Sequence, residues 1–341
     1  MITLTREQLL VHLKCGAKGY KCGMYLHKLE ALFRQPIYHR LEHERLMRKY
    51  EDIRQMYLDY DKDWNRVLLS LLFRTFSDES QKNKRAYAKL GGLFEHRVIE
   101  REKDSLENLE AMFVVASGLY HTKLKRSNSF ACEVVQRGRA LLKKHGVEEM
   151  SSSEWSSANV KGATEPIIRM SQIAMLIHKS DMLFNKVKNL RTRDDVLALF
   201  NLNASDEWSR FYGGGESKYV VGVDKRDMIG INFVVPMLYA IGNYFDDGEI
   251  TDAADEINEA IPAENNRFIR GWRSYGLTPI SAYETQSLLE LATSYCRLKS
   301  DKSVAADGEE SNMPRCESCP IYEHIVGPKS ILNEVPNMLV L

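Results

Sequence analysis

Residues 41–60 read LEHERLMRKYEDIRQMYLDY. Leu46, Tyr50, Ile53, Tyr57 and Tyr60 recur at alternating spacings of four and three, which lines them along one side of an α-helix. A strand would alternate every second residue instead. Glu44 and Arg48, four apart, are expected to pair on the opposite side. The same period returns in Trp64, Leu68, Leu71 and Leu72, and in Leu109, Met112, Phe113, Ala116 and Leu119. It appears again in Ile173, Ala174, Ile177 and Leu183, after a Glu165-Pro166 pair suited to a first turn. Thr5 with Gln8, and Ser281 with Glu284, have capping-box spacing. The tempting strand is KYVVGVD (218–224). The expected fold is mainly α, a multi-helix bundle.

Helical subdomains over 1–150 and 160–296 are expected, with the serine-rich SSSEWSSAN (151–159) as a loop and seam. GGGES (213–217) cannot stay helical. An acidic insertion follows at 297–314, then a cysteine-containing segment at 315–341. The chain is 44% hydrophobic and 28% charged with zero net charge. That zero hides an asymmetry: 1–150 carries 28 Lys+Arg against 20 Asp+Glu, or +8, and the remainder is −8. The apolar passage MIGINFVVPMLYAIG (228–242) is too short to span a bilayer, and no signal segment precedes it. Six scattered cysteines make no disulfide framework, so a reducing, cytoplasmic setting without membrane attachment is expected.

Several stretches resemble one family, domain of unknown function family 2851 (DUF2851). They are EPIIRMSQIAMLIHKS (165–180), INFVVPMLYAIG (231–242), IPAENNRFIRGW (261–272) and TQSLLELATSYC (285–296), with HERLMRKYEDI (43–53), DWNRVLLSLLFRTF (63–76) and LEAMFVVASGLY (109–120) upstream. The resemblance covers most of residues 40–325. In EWSRFYGG (207–214), Phe211 stands where the family tends to have a histidine. Relatives are expected to begin with GPDF-type and VEIH-type runs, which resemble the metal-binding carboxylates of restriction-endonuclease-like nucleases. Neither run occurs in this sequence. The resemblance therefore implies a helical portion whose nuclease-like half is either encoded separately, as a candidate partner, or lost.

Arg169, Asn232, Glu264, Asn265 and Gln286 lie among apolar neighbours, so they either share a polar network or satisfy local bonds. No catalytic triad is assembled from them, and no catalytic residue is expected. GGG lacks the lysine of a phosphate loop, and the 246–256 aspartates lack EF-hand spacing and read as a solvated turn. His39 and His43 read as exposed, because HRLEH lacks the HExxH arrangement. Cys316 and Cys319 form a CxxC pair with His324 five residues on. With Cys296 they suit a zinc site, or an iron–sulfur cluster completed by Cys15 or Cys22. Nucleic-acid contact is expected through Arg45, Arg48 and Lys49, through Lys82, Lys84 and Arg85, and through Lys123, Lys125 and Arg126. The expected role is a non-catalytic binding or scaffold module. The alternatives are an enzyme with an unrecognised polar site and a protein–protein adaptor.

Overall fold

A computed structural model describes residues 3–5, 30–76, 88–121, 124, 129–158, 164–213, 219–273, 278–295, 318–320 and 338–340. These residues are mainly helical, as the periodicity requires. In chain order they form β1 (Thr3–Thr5), α1 (Glu30–Asp59), α2 (Trp64–Phe76), α3 (Gly91–Glu95), α4 (Val98–Glu102), α5 (Leu106–Ala116), α6 (Ser129–His145), α7 (Ser152–Ala158) and α8 (Thr164–His178). There follow α9 (Leu183–Lys188), α10 (Arg193–Leu199), α11 (Asp206–Phe211), α12 (Val223–Ile229), α13 (Val235–Phe245), α14 (Gly248–Ala260), α15 (Arg267–Arg273), α16 (Ala282–Glu290) and β2 (Met338–Val340). The chain divides into two compact units: residues 1–49 with 258–341, and residues 50–257.

In the second unit, α5 is the central helix. Leu109 and every residue from Ala111 to Ala116 are fully buried, which an apolar helix surrounded by others demands. α6 packs closely on it, and α8 lies alongside. Phe73 of α2 meets Phe113 edge-on at 5.1 Å. Gly230–Val234 is a π-helical turn leading into α13. Pro236 lacks the N–H that would bond the carbonyl four residues back, and the wider turn accommodates that loss. The helical path Val223–Phe245 is longer than the apolar passage 228–242 suggests. By length and composition it could cross a membrane, and 72% of its apolar window is buried inside the protein.

In the first unit, Ile37, Tyr38, Leu41 and Leu46 of α1 are buried, as are Ile269 and Trp272 of α15 and Leu288 of α16. Pro262 and Ser281 form an antiparallel bridge, and the Ala282 N–H donates to Ile261 O at 2.7 Å. β1 pairs antiparallel with β2, Thr3 opposite Val340.

Thr5 ends β1 opposite Met338, and Gln8, its expected capping-box partner, lies outside the described residues. Three local expectations are corrected. SSSEWSSAN is mostly helix α7: Ser151 Oγ accepts from the Glu154 N–H, and Glu154 returns a bond to the Ser151 N–H. The KYVVGVD alternation yields a single bridge, Asn203 to Val220, before α12 begins. The acidic 246–256 stretch turns only at Asp246 and Asp247, and is helical from Gly248. Gly213 does end α11, at φ 68° in the left-handed region.

Candidate functional site

A buried polar cluster of the first unit is built on α1. Three residues apart on the helix, Glu42 and Arg45 face the same side. Arg45 grips Glu42 with a fork, Nε to Oε2 at 2.8 Å and Nη2 to Oε1 at 2.5 Å. Asn258 Nδ2 donates to the same Oε1 at 2.6 Å. Only 1% of Glu42 is exposed, and Asn258 is fully buried. Because Asn258 turns its amide nitrogen to the carboxylate, its Oδ1 faces away, and that atom has no hydrogen-bond partner among the described residues.

α16 adds a second tier. Gln286 Nε2 donates to Glu264 Oε2 at 2.5 Å, aided by the Pro262–Ser281 bridge that brings their segments together. Ser287 Oγ bonds Tyr38 O at 3.0 Å, and Glu290 Oε2 takes the Arg48 guanidinium. Burial works against the Arg45 charge. Glu42, with Glu290 and Glu264 farther off, outweighs it and holds the guanidinium above its ordinary value. Chemically this is a clasp. Both Glu42 oxygens are occupied by fixed donors, so the group is a poor metal ligand or base. Among the described residues no group of three or more His, Cys, Asp or Glu could hold a metal ion.

The residues singled out from sequence separate. Glu264 and Gln286 meet in the clasp. Asn265 Oδ1 accepts from Arg273 at 3.2 Å, a local bond near the start of α15. Arg169 and Asn232 belong to the other unit. There Arg169 donates to Gln172 Oε1 at 2.9 Å, and Asn232, exposed on the π turn, donates to Met228 O at 3.0 Å. Of the cations, Arg45 is buried in the clasp, Arg48 reaches Glu290 rather than Glu44, and Lys49 is exposed. Glu44 instead takes Arg40 at 3.0 Å and the Tyr295 hydroxyl. Lys82, Lys84, Arg85, Lys123, Lys125 and Arg126 lie outside the described residues, as do Cys15, Cys22, Cys296, Cys316 and His324. Cys319 is buried. It lies close enough to Tyr295 that, after burial and the Glu44 bond, it helps push that phenol up.

The second unit has a buried polar centre that the sequence reading missed. Ser171 Oγ donates to Glu110 Oε1 at 2.5 Å and accepts from the Ser205 N–H at 2.8 Å. An open groove of about 510 Å³ also runs along α9 and α10, lined by Met182, Leu190, Asp195 and Leu199 among others. Its Asp195 is engaged in the capping box with Thr192. Phe211 packs on Trp208 at 5.7 Å and on Phe130 at 5.5 Å, in an aromatic cluster rather than a polar site.

A family model, described as a protein of unknown function (DUF2851), matches residues 4–267. The chain belongs to the DUF2851 family. No curated protein and no solved structure is similar enough to match it. The DUF2851 match encloses Glu42, Arg45, Asn258 and Glu264 and ends before Gln286 and Glu290.

Proposed function

We propose that this DUF2851 chain is a helical binding and scaffold module, without catalysis of its own. The observation that carries this reading is Glu42. A buried carboxylate in a hydrolytic site needs a free oxygen for an ion or a water. Here an arginine fork and an amide engage both oxygens, and the group ties α1 to α14. The nuclease-like half implied by the family resemblance is the partner such a module would serve. A second reading adds weak, sequence-neutral nucleic-acid contact. The +8 charge of residues 1–150 and the exposed Lys49 favour it.

The test uses purified chain with magnesium and plasmid or oligonucleotide, followed by affinity for single- and double-stranded DNA and RNA across a salt series. No cleavage is expected, and binding should weaken steeply as salt rises. Cleavage abolished by a point substitution in this chain would refute the non-catalytic role. Absence of binding at low salt would remove the nucleic-acid reading.

The same module is proposed to hold structural zinc through Cys296, Cys316, Cys319 and His324 in a reducing, cytoplasmic setting. Buried Cys319 near Tyr295, the residue before Cys296, supports that grouping. The four-donor thiolate and imidazole set suits tetrahedral zinc. Stoichiometric zinc lost in Cys316→Ser is the expected result of metal analysis. Metal-free, fully folded protein purified anaerobically would dismiss it.

A further inference from the structure

Rings of the second unit gather where α13 ends. Trp64 stacks on Tyr57 at 4.4 Å between centroids and meets Tyr244 at 5.4 Å, Phe184 at 6.0 Å and Phe245 at 6.2 Å. Tyr57 and Trp64 are buried, whereas Tyr244 is 39% and Phe245 50% exposed. Four consecutive residues, Asn243 to Asp246, face outward.

This is not a frayed helix end. Asp246 takes the left-handed conformation at φ 54°, and the Asp247 N–H returns to Gly242 O at 2.8 Å. A Cβ on Gly242 would lie 2.6 Å from the Thr251 methyl and 2.9 Å from the Thr251 nitrogen, so α13 and α14 cross in close contact. The corner holds its rings in place.

Carboxylates follow them along the chain. Asp246, Glu249 and Asp252 are exposed and Asp247 is half-buried. One cation already uses a ring, because Lys188 Nζ sits 5.2 Å from the Phe245 centroid. Aromatic faces attract cations through their quadrupole, and neighbouring carboxylates add to that attraction while repelling phosphate.

The geometry points to a docking site at this corner for a basic protein segment. Its arginine or lysine side chains lie on Tyr244 and Phe245, with Asp246, Asp247 and Glu249 as counter-ions. The aliphatic stems of those side chains cover the exposed ring edges. The assignment rests on the binding-module reading and names the partner's chemistry.

The test is fluorescence anisotropy of the full chain with a labelled arginine-rich peptide, and with a control peptide carrying glutamate for arginine. The arginine peptide should bind, more weakly at high salt, and the control should not. Phe245→Ala is expected to lower affinity by about tenfold, the scale of one desolvated cation–π contact. Asp246→Asn combined with Asp247→Asn and Glu249→Gln should do the same while keeping every ring. Asparagine tolerates the left-handed turn, so this variant separates binding from folding. Wild-type affinity in the charge variant, or equal binding of the control peptide, would overturn the proposal. So would self-association of the chain, or single-stranded DNA binding, that Phe245→Ala abolishes. Magnesium-dependent cleavage would sink the non-catalytic reading yet leave peptide affinity at this corner intact, so the two failures are distinguishable.

Discussion

Glu110 is an acid placed where ionisation is costly. It is 4% exposed, and burial, only partly opposed by hydrogen bonds from Ser171 and Ser205, pushes its pKa up to about 7, with Glu207 and Glu107 adding repulsion. In the unfolded chain the same carboxyl ionises near 4.5. Below that pH both states hold the proton, and the group does not penalise folding. As pH rises toward 7 the unfolded chain releases its proton while the folded chain keeps it, so stability falls and then levels off. The gap amounts to about 3 kcal/mol. Glu110→Gln should therefore stabilise the protein at pH 8 by up to about 3 kcal/mol and change it little at pH 5. A glutamine oxygen still accepts from Ser171, and its amide can donate toward the neighbouring Ser205 hydroxyl. Urea midpoints at the two pH values check this; equal gains at both would show that ionisation is not the cause.

At the scale of elements, α5 and α6 approach closely because Gly138 has no side chain. A Cβ there would lie 2.5 Å from Ala111 O and 2.5 Å from Val115 Cγ2. The carbonyl cannot rotate away, so Gly138→Ala must push the helices apart at about 1–3 kcal/mol. Alanine's helix propensity returns only about 1 kcal/mol. The clash should win by up to about 2 kcal/mol, lowering the thermal midpoint by a few degrees; an unchanged midpoint would mean that the helices slide freely. α5 itself was legible in sequence, since Leu109, Met112, Phe113 and Ala116 carry a regular period and the whole segment is apolar. The Ser-x-x-Glu spacings were legible too. Ser281 does cap α16, with its Oγ accepting from the Glu284 N–H. Ser151 with Glu154 forms a capping box inside a stretch whose serines read as a loop. Composition hid that cap, while the spacing carried it. Arg45 departs from expectation because of its surroundings. Arginine usually reads as surface, but here it stands beside Leu46 on the buried side. Its neighbour across the clasp, Asn258, bonds Glu42 from 216 residues away, a relation no local pattern carries.

At the scale of the whole molecule, the first unit is discontinuous: α1 depends on residues that return more than two hundred positions later. The DUF2851 match ends at residue 267, whereas Ser287 bonds Tyr38 O and Glu290 holds Arg48 from beyond that point. Gln286, which satisfies Glu264, is also beyond it. A chain truncated after Arg267 would keep Glu42, Arg45 and Asn258 but lose α15 and α16, and with them buried Ile269, Trp272 and Leu288, the Ser287 bond to Tyr38 O and the Glu290 partner of Arg48. A buried ion pair stripped of its apolar cover gives little stability. Residues 109–116 belong to the other unit, whose chain is complete in the truncated form. Hydrogen exchange should then show protection falling by about a hundredfold over residues 37–48 while it persists over 109–116. Loss of protection in both segments together would mean that the units fold only as one. Retention in both would mean that the clasp of Glu42, Arg45 and Asn258 holds α1 without α16, and that the partners supplied by Gln286, Ser287 and Glu290 are dispensable.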